Sequence, residues 1–188
     1  MSNRGPHHEV LIAGFGGQGV VLAGRLLATA ALNEEREVVW APSYGPEMRG
    51  GAVHCTVIVS SERIGSPEVS LADYLVIMDR ASLERFSQRV KPGGLLVLNS
   101  SLISERPEEN ECRVLMIPAN GVAEELGNLR VANVVMLGAL LSQRPVVAPA
   151  SLEEAIRSVG AEAKTGDELI ELNLRALARG RELGREVA

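Results

Sequence analysis

Ile12-Ala13-Gly14-Phe15-Gly16-Gly17-Gln18-Gly19-Val20 is the stretch on which the reading of this chain turns. The short apolar run Val10–Ala13 leads into it, and the almost wholly apolar run Val20–Leu32 follows. An apolar run, four glycines in six positions and a second, longer apolar run read as strand, tight turn and helix. Such a turn sets backbone N–H groups, and the positive end of a helix dipole, at the carboxyl edge of a sheet. That geometry suits an anion.

Gly14, Gly16 and Gly19 fit the spacing G-x-G-x-x-G. Glycines in that pattern let the chain turn sharply, let a ligand approach the backbone, and let the helix approach the sheet. Gly17 and Gln18 complete the turn. The second half of a dinucleotide fingerprint, an acid about 20 residues further on, is missing. The second strand, Glu37–Trp40, ends in Ala41-Pro42. The residues therefore support a phosphate-type cradle over an NAD site. Helix–sheet packing alone is the alternative use of the same glycines.

Ala41-Pro42-Ser43-Tyr44-Gly45-Pro46-Glu47-Met48-Arg49-Gly50-Gly51 is the second unusual stretch. Its prolines and glycines predict a loop. Ser43, Tyr44, Glu47 and Arg49 supply hydrogen-bonding groups, with Gly45 and Gly50 between them, and such a loop after a strand suits a site. A structural loop in which Glu47 simply pairs with Arg49 is the other reading. Both stretches leave early strands taken to be neighbours, so they are expected on one rim.

The remaining chain alternates strands and helices. Ala52–Ser60 is a strand with Val53, Cys55 and Val57 on one face and His54, Thr56 and Ile58 on the other. Starting straight after two glycines, it is expected to run antiparallel and make the sheet mixed. Tyr74–Met78 is a buried strand, and Asp79 after it either caps the helix Arg80–Val90 or serves a site. Lys91-Pro92-Gly93-Gly94 is read as the end of that helix, Leu95–Leu98 and Arg113–Ile117 as strands, and Pro118–Gly127 and Val131–Gln143 as helices. Ser151-Leu152-Glu153-Glu154 and Thr165-Gly166-Asp167-Glu168 have capping-box form and open two last helices. The fold class is α/β: a three-layer α/β/α sandwich with a Rossmann-like, mostly parallel but mixed sheet. Residues 1–188 form a single domain, with 1–7 a disordered N-terminus and 150–188 a helical end.

Composition narrows the function. Aromatics are 3% of 188 residues and the net charge is −5, which argues against a nucleic-acid partner. No run reaches the roughly 18 apolar residues needed to span a bilayer, and the polar N-terminus has no signal-peptide core. No membrane partner and a cytoplasmic location are expected. Cys55 and Cys112 form no C-x-x-C, and two thiols do not make a four-thiolate cluster or a structural zinc. His7 and His8 lack a third ligand nearby, and His54 reads as a satisfied strand histidine. There is no G-x-S-x-G, no P-loop lysine and no magnesium–thiamine diphosphate signature. No catalytic residue and no metal site are predicted; the inventory is one for binding.

Taken together, Gly14-Phe15-Gly16-Gly17-Gln18-Gly19 and Ser43-Tyr44-Gly45-Pro46-Glu47-Met48-Arg49-Gly50-Gly51 resemble the gamma component of the 2-oxoacid:ferredoxin oxidoreductases. The resemblance continues through Asp79, Pro92-Gly93-Gly94, Asn99-Ser100, Ile117-Pro118-Ala119, Gly127-Asn128 and Ala132-Asn133 into the helix holding Glu171 to Gly180. It implies a subunit of an enzyme that decarboxylates a 2-oxoacid, transfers the acyl group to coenzyme A and reduces ferredoxin. Thiamine diphosphate, magnesium and iron–sulfur clusters would lie on alpha and beta partner subunits, with a delta subunit left open. This chain alone would hold none of them tightly. It would help bind coenzyme A and assist assembly. The Gly14–Gly19 turn would hold phosphate or the interface that closes over it. Ser43, Tyr44, Glu47 and Arg49 would shape the coenzyme A or thiamine-proximal wall, Arg49 by charge and Glu47 by fixing Arg49. Interface exposed on the isolated chain would favour a homodimer. A stand-alone nucleotide-binding protein and a purely structural subunit are the competing readings.

Overall fold

The computed structural model describes residues 6–43, 52–107 and 112–187. They build one sheet from β1 (His7–Phe15), β2 (Glu37–Ser43), β3 (Ala52–Ser60), β4 (Ala72–Ile77), β5 (Val90–Asn99) and β6 (Arg113–Ile117). The helices are α1 (Val20–Asn33), α2 (Arg80–Phe86), α3 (Ala119–Glu125), α4 (Ala132–Gln143), α5 (Pro149–Glu162) and α6 (Asp167–Glu186). The strand order is β2-β3-β1-β4-β5-β6. β3 pairs antiparallel with both β1 and β2, and the other pairs are parallel, so the sheet is mixed as the glycines before Ala52 suggested.

Val10, Leu11, Ile12 and Ala13 are all buried, which is why that run shows no alternation: both faces of β1 are covered. The covering is uneven. α1 and α3 to α6 pack on the face carrying Val10, Ile12, Cys55, Val57, Val76 and Val97. The other face carries Leu11, Ala13, Ile58, Leu75 and Ile77, and is met by Leu83 and Phe86 of α2 with Val69 and Ile103. α4 is buried at every residue from Ala132 to Leu141, because it lies among the sheet, α1, α3 and α6. Among the described residues, no helix is long and apolar enough to cross a membrane.

Several expectations shift. β1 begins at His7, inside the segment read as disordered, and residues 1–5 lie outside the described part. β2 runs on through Ala41 and Pro42 to Ser43; it is an edge strand, where a missing ladder N–H is tolerated. The helix after Asp79 ends at Phe86, followed by a 3₁₀ turn at Ser87–Arg89, and Lys91 to Gly94 belong to β5. Lys91 stays in the strand because its ammonium meets Glu9 at 2.6 Å and Asp73 at 2.8 Å, tying together the starts of β1, β4 and β5. Neither capping box forms. α5 starts at Pro149, before Ser151, and α6 has Gly166 at its cap, with no side-chain cap in either.

Candidate functional site

β1 and β2 are not neighbours, because β3 lies between them. Both run the same way, however, so their carboxyl ends still share a rim. Phe15 pairs with Ala52 and Ser43 with His54, so the first residues of β3 bridge the two ends. There the glycine turn and Ser43 line one cleft of about 340 Å³, with Phe15, Gly16, Gly17, Gly19, Val20 and Val53 in its wall. Apart from Ser43, the wall is apolar side chain and glycine backbone. Of the residues proposed for the site, Gly16, Gly17, Gly19 and Ser43 are thus brought together. Tyr44, Gly45, Glu47, Arg49 and Gly50 lie outside the described residues.

The turn is held from within. Gly17 and Gly19 have φ of +101° and +74°, values that side-chain-bearing residues rarely adopt. Gly19 is the cap residue of α1, and its carbonyl accepts from Ala23 N–H at 2.9 Å and from Asn133 Nδ2 at 3.0 Å. Gln18 N–H donates to the Phe15 carbonyl at 3.2 Å, and Phe15 N–H donates back to Gln18 Oε1 at 2.9 Å. Gly14 stands behind this pair: a Cβ there would lie 2.9 Å from Met78 Cβ and from Val20 Cγ2. Gly14 and Gln18 therefore face the interior of the turn.

Two buried asparagines extend the scaffold, and sequence reasoning gave neither a role. Asn133, in the apolar α4, donates to Gly19 as above, and its Oδ1 accepts from Val134 N–H at 2.9 Å. Asn99, at the end of β5, donates to the Met78 carbonyl at 3.2 Å and to Asn120 Oδ1 at 2.9 Å. Both are 1% exposed or less. A lone amide inside an apolar run was the available signal, since buried polar groups are almost always bonded to something. Asp79 acts as the cap: its carboxylate accepts from Ser82 N–H and Ser82 Oγ–H, each at 3.0 Å.

On the other face of the β2–β3 ends, Ser43 also borders a groove of about 550 Å³ with His54, Thr56, Glu68 and Arg89. The His54 ring stands 5.0 Å from the Phe86 ring. Burial, then the Arg89 and Arg85 cations, hold its imidazole below the ordinary histidine range. A neutral ring packed on an aromatic fits a structural histidine. Burial pushes the Cys55 thiol up to about 11, against an opposing hydrogen bond from Trp40, so it stays protonated at neutral pH. Among the described residues, no three His, Cys, Asp or Glu side chains converge as a metal site would need.

The pattern of the pyruvate ferredoxin/flavodoxin oxidoreductase family matches residues 9–183. The chain is 37% identical over 182 residues to the 2-oxoglutarate synthase subunit KorC of Methanocaldococcus jannaschii, covering 95% of each chain. It is 40% identical over 182 residues to the ketoisovalerate oxidoreductase subunit VorA of Methanothermobacter thermautotrophicus, covering 96% of this chain. The chain spans only 37% of that relative's length. Its fold is similar to the gamma subunit of a keto/oxoacid ferredoxin oxidoreductase from Geobacter sulfurreducens, with a TM-score of 0.83 and 29% identity, over 97% of this chain and 98% of that one. It is also similar to a 2-oxoglutarate:ferredoxin oxidoreductase from Magnetococcus marinus with 2-oxoglutarate, coenzyme A and succinyl-CoA bound, with a TM-score of 0.86 and 25% identity, over 97% of this chain and 32% of that one. The chain therefore belongs to the pyruvate ferredoxin/flavodoxin oxidoreductase family, and within it is of the gamma-subunit type.

Proposed function

We propose that this chain is the gamma subunit of a multisubunit 2-oxoacid:ferredoxin oxidoreductase, works there as one domain, and forms part of the coenzyme A site. The observation that carries the proposal is the cleft shared by the glycine turn and Ser43. Its apolar wall suits the flexible arm of coenzyme A. The amides of Phe15 and Gln18 are bonded inside the turn, so donors toward a phosphate would come from Gly16 and Gly17 and from the uncapped first turn of α1, which lines the same cleft. Likeness to a structure with coenzyme A bound supports the same ligand. Thiamine diphosphate, magnesium and the iron–sulfur clusters belong on partner subunits in this reading. When bound they supply the decarboxylation and the electron path, while this chain's residues position the acyl acceptor. The protonated, buried Cys55 offers no thiolate toward a cluster.

Arg49 is the cation closest in sequence to Ser43, and its part in the proposal is to attract the coenzyme A phosphates. Arg49→Ala should raise the KM for coenzyme A in the assembled enzyme by roughly tenfold, the loss expected of one charge-assisted hydrogen bond. Subunit composition should stay intact. An assembled variant with an unchanged KM for coenzyme A would remove Arg49 from the site.

A further inference from the structure

The connections of the sheet diverge between β1 and β4. From β1 the chain passes through α1 to β2 on one side; from β4 it passes through α2 to β5 on the other. α1 and α2 lie on opposite faces. In open α/β sheets a crevice forms at the carboxyl ends of the strands at such a point, and ligands enter it. Here the Gln18 side chain reaches from the end of β1 to the end of β4.

Gln18 accepts from Phe15 N–H at 2.9 Å through Oε1, and its Nε2 reaches the Met78 carbonyl, just beyond β4, at 3.5 Å. One orientation of the amide satisfies both partners, and the reverse would satisfy neither. Asn99 donates to the same Met78 carbonyl, and Gly14 leaves the space that the Gln18 amide occupies. The cleft that remains at the turn lies on the β3 side, against Ser43 and Val53, and among the described residues its wall includes none from β4.

We propose that Gln18 is a built-in occupant of the switch-point crevice. It makes the two polar contacts that a ligand's group would make there, one accepted and one donated, and so bars a dinucleotide from that seat. By clamping the turn to β4 it fixes the direction in which Gly16 and Gly17 face the β3-side cleft. Gln18 is thus a positioning residue that sets which ligand the glycine turn can serve. The identity of the ligand in the open cleft rests on the function proposed above; the plug does not.

The test compares Gln18→Ala with Gln18→Glu, which keeps an acceptor for Phe15 N–H. In the full chain, amide hydrogen exchange at Phe15 should run roughly tenfold faster in Gln18→Ala and close to wild type in Gln18→Glu. Titration of the wild-type chain with NAD should show no binding. In the assembled enzyme, Gln18→Ala should raise the KM for coenzyme A roughly fivefold with kcat nearly unchanged, and Gln18→Glu, which lacks the donor for the Met78 carbonyl, should not restore it. Unchanged Phe15 exchange in Gln18→Ala, or NAD binding by the wild-type chain, would overturn the plug. Faster exchange with an unmoved KM would uphold the plug and count against the coenzyme A reading instead.

Discussion

Gly180→Val is expected to lower stability by about 3 kcal/mol or more, at the upper end of overpacking costs, and to lower Tm by roughly 6–12 °C. The reason is that α4 and α6 touch backbone to backbone. A Cβ on Gly180 would lie 2.8 Å from the Val135 carbonyl carbon and 3.0 Å from its Cα. Gly138 and Gly184 are equally crowded: their Cβ atoms would lie 2.9 Å from Arg181 N and from Ala139 Cα. No rotamer change relieves a clash with backbone, so the two helices must separate. α4 is the buried centre of the helical layer, so separation also loosens its contacts with the sheet. Gly121→Ala is the matched control. Gly121 is in α3, and a Cβ there meets nothing within 4 Å. That variant should be neutral or slightly stabilising, by up to about 1 kcal/mol from helix propensity. Thermal melts of the two variants check the pair. Similar Tm values for both would show that the α4–α6 contact is not the tight seam described.

Gly19→Val should damage the turn itself, and with it coenzyme A use. Gly19 sits at φ +74°, and its Cβ would lie 2.5 Å from Asn133 Nδ2. The backbone strain costs about 1–3 kcal/mol. Displacing Asn133 strands a buried amide, which costs roughly another 1–3 kcal/mol. Gly17→Val separates these terms. Its φ is +101°, but a Cβ there meets nothing within 4 Å, so only the strain remains. The expected order of stability is wild type, then Gly17→Val, then Gly19→Val, read from denaturant melts. In assembled enzyme both should weaken coenzyme A-dependent turnover, Gly19→Val more. Equal stability of the two variants would mean that the Asn133 contact contributes nothing.

The same residues show what a sequence discloses and what it hides. Val10–Ala13 is legible as a strand because burial on both faces leaves a continuous apolar run, and β3 is legible from the alternation between Cys55, Val57 and Thr56, Ile58. The shared rim of the glycine turn and Ser43 is legible too, though it depends on β3 lying reversed between β1 and β2 rather than on direct pairing. The start of β5 is not. Lys91-Pro92-Gly93-Gly94 has the form of a helix stop, but Gly93 at φ +74° and a register shift between Ala72 and Tyr74 let it serve as strand. The openings of α5 and α6 mislead because Ser151 and Thr165 fit a capping box, while Pro149 and Gly166 set where the chain turns helical. Gln18, Asn99 and Asn133 were least legible. Their roles depend on carbonyls of Met78 and Gly19, which are brought near only by the tertiary fold.

The gamma-subunit assignment is open to direct test by affinity purification of this chain from its native cell under mild conditions, followed by mass, iron and thiamine analysis. Larger subunits should co-purify, carrying thiamine diphosphate and iron–sulfur clusters, and the preparation should reduce ferredoxin with a 2-oxoacid only when coenzyme A is present. A chain that arrives alone, or with partners that hold neither cofactor, would contradict that assignment.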